Sequence, residues 1–300
     1  MTLSRIPGAW PHRDASEMVA AGGVSWHVQR FGAGPPLLLI HGTGASTHSF
    51  AHLAHALSSE FEIVMADLPG HGFSGRMDAP ELPLVAQALG ALMARLGVEP
   101  ALVAGHSAGA AVALRMALDG IIRPQALIGL APALQPYGGA ADGIASKAAR
   151  LALLNPLTPR LFSMRANRAS VARLIAKTGS RLDEEGVALY QQLLKQPGHV
   201  AGALRLMAHW KLRPLLADLP QMTTPATMVL AENDRATPPA EAWAAARRIP
   251  GCQDVRLAGL GHLAHEEDPG RTAGIIRLAA QEAGLDITAS AQTRRMAGGS

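Results

Sequence analysis

The segment Ala101–Gly109 constrains the fold of this chain more than any other stretch of its sequence. A short apolar run leads to a serine, Ser107, placed between Gly105 and Gly109, and an Ala-rich helical pattern follows at once. A strand that turns into a helix at a serine is typical of a nucleophile elbow, a strained turn that lifts the hydroxyl above a sheet. Glycines suit this turn because larger side chains would collide with the neighbouring strand and helix. The pattern therefore predicts Ser107 as a nucleophile, with a structural serine at a helix start as the alternative.

The strand-then-helix rhythm around Ser107 extends over most of the chain. Residues 17–31 alternate in polarity and predict a hairpin, and short apolar runs separated by helical patterns lie at 36–40, 61–66, 101–106, 126–130, 227–230 and 254–257. A single long helix is expected over His265–Ala283. Strands that alternate with helices predict an α/β fold with a mostly parallel, eight-stranded sheet covered by helices on both faces.

The rhythm stops near Pro132 and resumes near Leu215. The chain between them shows helical spacing without a clear strand, which indicates helices inserted above the carboxyl ends of the strands, where such folds place their sites. The predicted division is an α/β core of residues 1–132 and 215–286, a helical cap of residues 133–214 and a disordered tail of residues 287–300.

Composition narrows the class of protein. Hydrophobic residues make up 48% of the chain, which is enough for a large core, and a net charge of +4 does not indicate a nucleic-acid partner. The single cysteine, Cys252, excludes an intramolecular disulfide and fits a reducing compartment. The amino terminus lacks the apolar stretch of a signal peptide, and no run is long enough for a membrane span. A cytoplasmic protein without a transmembrane segment is expected.

A serine nucleophile needs a base, and the base needs a carboxylate that orients it. After a nucleophile elbow the expected chain order is serine, acid, histidine. Asp234 follows one apolar strand and His262 follows the next, both on the side of the sheet where Ser107 would emerge. The sequence therefore predicts a Ser107–Asp234–His262 catalytic triad. Glu232 remains the alternative acid, a helix N-cap the alternative role for Asp234, and His265 the alternative base.

The oxyanion that forms during acyl transfer needs two hydrogen-bond donors. The backbone N–H of Ala108, at the start of a helix, is one candidate. The other is expected in the loop after His41 and Gly42, where Thr43 N–H is favoured and Gly44 is expected to leave room for the loop to approach.

Nothing in the sequence calls for a cofactor. The 12 histidines include no metal-binding motif, and one cysteine cannot form a thiolate cluster, so no metal site is predicted. The glycines around Thr43 lack the remaining features of a dinucleotide fingerprint. His41 and His71 are expected to organise loops, and His106 to pack.

Several of these motifs together resemble the α/β-hydrolase superfamily over about residues 25–285. The motifs are His41-Gly42, Asp67-Leu-Pro-Gly-His-Gly72, Gly105-His-Ser107-Ala-Gly109, Glu232-Asn-Asp234 and Gly261-His262. This resemblance implies the α/β-hydrolase fold and is much less specific for the substrate.

A narrower resemblance is to the magnesium-chelatase accessory proteins of bacteriochlorophyll biosynthesis (BchO type). It rests on motifs in the core and in the predicted cap: Trp10-Pro-His-Arg13, Gly22-Gly-Val-Ser-Trp26-His-Val-Gln-Arg30, His41-Gly-Thr-Gly-Ala-Ser-Thr-His48, Met116-Ala-Leu-Asp-Gly120, Leu154-Asn-Pro156, Thr178-Gly-Ser-Arg-Leu-Asp183 and His199-Val-Ala-Gly-Ala-Leu204. The resemblance implies a role around magnesium insertion into protoporphyrin, with magnesium-chelatase subunits as candidate partners.

The predicted cap is strongly basic. Residues 141–215 contain twelve basic and four acidic side chains. A basic, apolar cap suits a porphyrin with its propionates, an acidic partner protein or an anionic membrane surface. The alternative is a set of solvated helix faces.

Three functional hypotheses follow from the sequence. The first is an accessory protein of bacteriochlorophyll synthesis that retains a serine-hydrolase triad and acts on a small molecule or porphyrin under the cap. The second is a general serine carboxylesterase or carbon–carbon bond hydrolase unconnected to pigment. The third is a non-catalytic module that binds porphyrin or a chelatase subunit.

Overall fold

The computed structural model describes residues 6–135 and 155–287, and these contain one eight-stranded sheet in the order β1-β2-β4-β3-β5-β6-β7-β8. The strands are β1 (Ser16–Ala21), β2 (Val24–Gly32), β3 (Pro36–Ile40), β4 (Glu62–Ala66), β5 (Leu102–His106), β6 (Ala126–Leu130), β7 (Ala226–Ala231) and β8 (Gln253–Leu257). β1 and β2 form an antiparallel edge, and β3 to β8 run parallel. The predicted sheet is confirmed.

Eleven α-helices lie within the described residues. They are α1 (Ala51–Leu57), α2 (Leu82–Leu96), α3 (Ala108–Leu118), α4 (Leu157–Met164), α5 (Arg168–Lys177), α6 (Glu184–Leu194), α7 (Pro197–His209), α8 (Arg213–Asp218), α9 (Pro239–Ala246), α10 (Ala264–Glu267) and α11 (Pro269–Glu282). Short 3-10 turns cover Arg13–Ala15, Thr47–Phe50 and Leu219–Gln221. None of these helices is both long and apolar enough to cross a membrane.

The core forms two apolar layers, one on each face of the sheet. Successive residues of a strand point to opposite faces, so Val64 and Val103 join the layer beneath α2, α3 and α9. Ile63 and Leu102 join the layer beneath α1 and α11. The predicted covering of both faces by helices is therefore confirmed, and the carboxyl ends of the parallel strands meet at one edge.

The helices α4 to α7 lie between β6 and β7 in the chain and pack over that edge. Their side chains Val171, Ile175 and Tyr190 form a separate apolar cluster with Ala45 and Leu263, which belong to loops after β3 and β8. The division into core, cap and tail stays a prediction. Residues 136–154 of the predicted cap and 288–300 of the predicted tail lie outside the described residues.

The end of the chain corrects one expectation. The single helix predicted over His265–Ala283 is two helices, α10 and α11, which are separated at Asp268. A residue before a proline is disfavoured in helical conformation, and Asp268, which precedes Pro269, is non-helical with φ −140° and ψ 77°. Its side chain caps α11 by accepting a hydrogen bond from Arg271 N–H at 2.9 Å.

Candidate active site

Ser107 lies at the sharp turn between β5 and α3. Its backbone has φ 52° and ψ −116°, a conformation that costs a non-glycine residue about 1–3 kcal/mol. Its N–H donates to the carbonyl of Leu130 at 2.9 Å. A Cβ at Gly105 would lie 2.5 Å from Ala110 N, and a Cβ at Gly109 would overlap the carbonyl oxygen of Ile40. Close packing on both sides of the turn therefore holds Ser107 in its strained conformation.

Asp234 and His262 meet at the ends of β7 and β8. His262 Nδ1 lies 2.8 Å from Asp234 Oδ2, and Asp234 is 5% exposed. The other carboxylate oxygen accepts hydrogen bonds from Ala236 N–H and Thr237 N–H, each at 2.8 Å. Asp234 thus contacts the imidazole and also organises its own turn. The helix N-cap weighed as its alternative role is not observed, because α9 begins at Pro239 and its N-cap residue is Pro238. The alternative acid, Glu232, is exposed at the surface.

The tautomer of His262 follows from its carboxylate partner. The hydrogen bond to Asp234 places a proton on Nδ1 and leaves Nε2 able to accept one. Ser107 and His262 line the same cavity. In the part of the chain that the structure describes, their two side chains form no hydrogen bond with each other. In unliganded sites such catalytic hydrogen bonds are often long and tighten only when substrate binds.

The predicted oxyanion donors lie beside the serine. Ala108 begins α3, and the first N–H groups of a helix have no partner inside it. A Cβ at Gly42 would lie 2.9 Å from the Ser107 Cβ, so the loop after β3 passes directly against the nucleophile. Thr43, the next residue, lines the cavity.

The reason for Gly44 differs from the expected one. A Cβ there would contact nothing within 4 Å, so room for the loop is not what requires glycine. Its backbone has φ +81°, a left-handed conformation that glycine adopts without steric cost. The sequence shows where the glycine is, but not which of these two constraints acts on it.

A buried carboxylate, Asp67, holds the loop after β3 in place. It accepts hydrogen bonds from Thr47 N–H at 2.8 Å and from Phe73 N–H at 2.9 Å, and it pairs with His27 Nδ1 at 2.7 Å. Burial alone would raise the pKa of this carboxyl, but His27 and the hydrogen bonds hold it well below its ordinary value. His41 also organises this region, because its Nε2 accepts a hydrogen bond from Leu68 N–H at 2.8 Å.

Three histidine rings pack together behind the nucleophile. His106 Nε2 donates to the carbonyl of His262 at 2.9 Å, and its ring also packs on His265 with centroids 4.3 Å apart. Burial lowers the pKa of His106 well below its usual range and that of His265 to about 3, so both stay neutral. Within the described residues, neither ring nitrogen of His265 makes a hydrogen bond. Glu266 Oε1 lies 3.9 Å from His265 Nε2, beyond hydrogen-bond distance, so no carboxylate of residues 6–135 and 155–287 orients His265 as Asp234 orients His262. His106, through its hydrogen bond to His262, does more than pack.

Tyr190 of α6 links the helices over the site to the core. Its hydroxyl donates to Glu266 Oε1 of α10 at 2.7 Å. Burial, the largest cause, raises the pKa of Glu266, while the Tyr190 hydrogen bond opposes the shift and the charges of Glu267 and Asp183 add to it, giving a value of about 8. Burial also raises the pKa of Tyr190 well above its ordinary value. The pair is therefore neutral at pH 7.

The cavity at this site has a volume of about 390 Å³. Apolar side chains from α4 to α7 form most of its wall, namely Phe162, Val171, Leu174, Ile175, Leu194, Val200, Leu204 and Met207. Its polar lining includes Ser107 and His262, together with Thr43, His106, Thr178, Tyr190 and Thr237. Such a pocket suits an apolar group attached to a reactive polar bond.

Sequence reasoning missed several residues that organise this site. Thr237 donates from its hydroxyl to Asp234 Oδ2 at 2.6 Å, and a threonine three residues after an aspartate is a recognisable turn pattern. Tyr190, Glu266 and Ser180 act through contacts between distant segments, for which the sequence offers no local signal. No group of three or more potential metal ligands comes together in the described part of the chain.

A parallel sheet with a strained serine after one strand, and an acid and a histidine after two later strands, defines the α/β-hydrolase class. Residues 35–269 match the family model for the alpha/beta hydrolase fold, and the chain belongs to this family. A thermophilic esterase from Thermogutta terrifontis is similar in structure, with a TM-score of 0.69 and 25% identity over 89% of this chain and 97% of its own.

The chain is similar to the magnesium-chelatase 30 kDa subunit of Rhodobacter capsulatus, with 38% identity over 276 residues. The match covers 90% of this chain and 96% of that protein, including the predicted cap, and it confirms the narrower resemblance. The pimeloyl-[acyl-carrier protein] methyl ester esterase of Stenotrophomonas maltophilia is 29% identical over 79% of this chain and 89% of its own length.

The raised pKa of Glu266 predicts a specific pH dependence of stability. A carboxyl with an ordinary pKa of 4.5 that rises to about 8 on folding binds more protons in the folded state, so stability falls as pH rises through this interval. Glu266→Gln keeps an acceptor for Tyr190 and removes this loss. We expect the free energy of unfolding at pH 8 to increase by about 2 kcal/mol, measured by urea unfolding. Glu282→Gln, at an exposed position of α11, should leave the free energy of unfolding unchanged. A wild type whose free energy of unfolding does not depend on pH would contradict the prediction.

Proposed function

We propose that this chain is a serine hydrolase of acyl esters that serves bacteriochlorophyll biosynthesis. The observation that carries the catalytic part is the 2.8 Å hydrogen bond between His262 and Asp234, made at the cavity that the strained Ser107 also lines. Thr43 and Ala108 supply the oxyanion donors in this proposal. Gly42, Gly44, Gly105 and Gly109 shape the two loops that bring those donors to the serine.

The proposed reaction is acyl transfer in two halves. Ser107 Oγ bonds to the acyl carbon while its proton passes to His262 Nε2, and the N–H groups of Thr43 and Ala108 hold the developing oxyanion. The ester C–O bond then breaks, and His262 protonates the leaving alcohol. Water, deprotonated by His262, then attacks the acyl carbon; the bond between that carbon and Ser107 Oγ breaks, and His262 returns the proton to Oγ, which releases the acid and restores Ser107. Asp234 stays ionised and stabilises the imidazolium, and the cycle uses no cofactor.

The wall of the cavity supports an apolar acyl group. With about 390 Å³, the cavity is at the lower end of the usual range for ligand pockets, roughly 300–1,000 Å³. A substrate as large as a porphyrin would therefore extend beyond it. The adjoining groove of about 460 Å³ shares Phe162 and Leu174 with the cavity and is lined by Arg165, Arg173 and Lys177.

These three basic side chains support an anionic group on the substrate. They are exposed, and none of them forms an ion pair with another described residue. By contrast, Lys211 pairs with Glu81 at 2.8 Å, so part of the positive charge of the predicted cap is neutralised by the core. A propionate of a porphyrin whose second propionate is esterified would combine the apolar body, the scissile ester and the anion.

The setting rests on the relative named magnesium-chelatase 30 kDa subunit. Its 38% identity extends over nearly the whole of both chains, which supports a role beside the chelatase and its subunits as partners. A general carboxylesterase is the second candidate, and the relative named as a methyl ester esterase favours it. We place both reactions at the same Ser107, so they differ in substrate and not in mechanism.

Labelling by a fluorophosphonate tests the nucleophile. The wild type should be labelled, and Ser107→Ala should abolish labelling because the attacking oxygen is gone. Asp234→Asn should slow it by at least about 10³-fold, since the imidazole then loses its orienting carboxylate. Ser58→Ala is the control, because Ser58 does not line the cavity and its hydroxyl makes an exposed hydrogen bond to the carbonyl of His55. An unlabelled wild type that still binds porphyrin would establish a non-catalytic binding module instead.

Two esters of protoporphyrin test the substrate class. The monomethyl ester keeps one free propionate and the dimethyl ester keeps none. Arg173→Glu should raise KM about tenfold for the monomethyl ester, equivalent to about 1.4 kcal/mol, and leave the dimethyl ester unaffected. Arg248→Glu is the matched control, because Arg248 is an exposed arginine on the surface of the predicted α/β core domain. Equal effects on the two esters, or turnover of simple esters only, would favour the general carboxylesterase.

Deletion of the gene in its host tests the setting. We expect magnesium-free porphyrin precursors to accumulate, and the wild-type gene to restore the pigment profile. Complementation with Ser107→Ala then separates catalysis from binding, because a purely structural partner of the chelatase would still restore pigment. An unchanged pigment profile after deletion would contradict the proposed role.

A further inference from the structure

One short segment of the inserted helices contacts both loops that carry the acid and the base. Residues 178–181 form the first part of the connection between α5 and α6, which ends at residue 183. The carbonyl of Thr178 accepts a hydrogen bond from Arg235 N–H at 3.0 Å and from His262 N–H at 3.4 Å. The hydroxyl of Ser180 accepts one from Leu263 N–H at 2.7 Å, and Ser180 is only 1% exposed. The segment therefore holds the backbone on both sides of the Asp234–His262 pair.

Glycines allow the segment to approach these loops closely. Gly179 has φ +89°, and a Cβ there would overlap the carbonyl oxygen of Asn233. A Cβ at Gly261 would lie 2.5 Å from Ser180 N. Neither contact leaves space for a side chain. The backbone of residues 178–181 therefore lies directly against the loop that carries Asp234 and the loop that carries His262.

A carboxylate closes the same assembly from the other side. Glu267 of α10 accepts from Gly261 N–H at 2.9 Å through Oε1 and from Arg181 N–H at 3.1 Å through Oε2. One side chain thus bridges the residue before His262 and the end of the 178–181 segment. Hydrogen bonds to a charged acceptor are about twice as strong as those between neutral groups.

We propose that the segment 178–181, through Gly179 and Ser180, is a positioning element that sets the geometry of Asp234 and His262. This inference rests on the proposed function, because it concerns the same triad. The helices over the cavity then do more than cover it, since they hold the base in place. A displacement of about 1 Å in a catalytic group can cost on the order of 10²-fold in rate, so small shifts of this segment reach the chemistry.

The segment also connects the base to the wall of the cavity. Ile175 at the end of α5, Thr178 in the segment and Tyr190 of α6 all line the cavity. A ligand that pushes α5 and α6 apart therefore displaces the Thr178 carbonyl and the Ser180 hydroxyl, which accept hydrogen bonds from the backbone at His262 and Leu263. The fit of the acyl group is in this way coupled to the position of His262, which favours turnover only for substrates that leave the segment docked.

Two substitutions test the segment. Ser180→Ala removes the acceptor of Leu263 N–H, and Gly179→Ala adds the Cβ that meets Asn233. Their controls are Ser163→Ala, a buried serine of α4 whose hydroxyl has no partner among the described residues, and Gly120→Ala, which has φ +67° but nothing within 4 Å. Each control repeats the chemical change without the contact.

The readouts are kcat and KM for p-nitrophenyl acetate, the downfield proton resonance of the Asp234–His262 hydrogen bond, and thermal unfolding. We expect Ser180→Ala and Gly179→Ala to lower kcat 10- to 100-fold with KM within twofold, and to shift or broaden the resonance. The resonance needs no turnover, so a wild type that shows it but is not labelled at Ser107 would reject the hydrolase and still test the segment.

Wild-type kcat and an unchanged resonance in Ser180→Ala would overturn the inference. Equal losses in Ser180→Ala and Ser163→Ala would do so too, because they would indicate general loosening of the helices. Failure of Ser180→Ala to unfold cooperatively would also count against it, since the segment would then be a determinant of folding and not of catalytic geometry.

Discussion

The close approach of α3 to the carboxyl end of β3 is the constraint on which the site depends. Gly109 has no side chain where the carbonyl oxygens of Ile40 and His41 lie, so the first turn of α3 can sit against them. This contact forces the chain through the strained conformation of Ser107. It also places Gly42 against the serine, which brings the loop with Thr43 to the position where an oxyanion would form. The same packing contact therefore positions both Ser107 and the loop with the predicted oxyanion donor Thr43.

The electrostatics of the site follow from burial. Near the triad, the rings of His106 and His265 are neutral because burial lowers their pKa values. Asp67 keeps its charge because His27 and backbone N–H groups surround it, and it uses that charge to fix the loop after β3. The carboxylate of Asp234 is therefore the charged group that contacts the imidazole of His262. When His262 takes up a proton, the Asp234 carboxylate stabilises its positive charge. The neighbouring rings of His106 and His265 carry no competing positive charge.

The sequence predicts those parts of the molecule that depend on local pattern. Ser107, Asp234 and His262 each follow an apolar strand, and parallel strands end at one edge, so chain order is enough to bring them together. The missed features depend on contacts that spacing does not encode. Ser180 meets Leu263 across 83 residues, and Tyr190 meets Glu266 across 76. The break at Asp268 was readable from the proline that follows it, whereas the length and spacing of apolar residues favoured one helix.

The geometry favours catalysis over binding alone as the reason for this site. A porphyrin pocket needs apolar walls and a few polar anchors, and it gains nothing from a serine held at φ 52° at a cost of about 1–3 kcal/mol. Nor does it need a buried carboxylate directed at a histidine, because burying such a pair costs desolvation free energy. In the proposed reaction both features contribute to the chemistry, because the serine attacks and the histidine carries a proton. Together with the proposed role beside magnesium chelatase, this reaction predicts an ester among the compounds that the chain meets there.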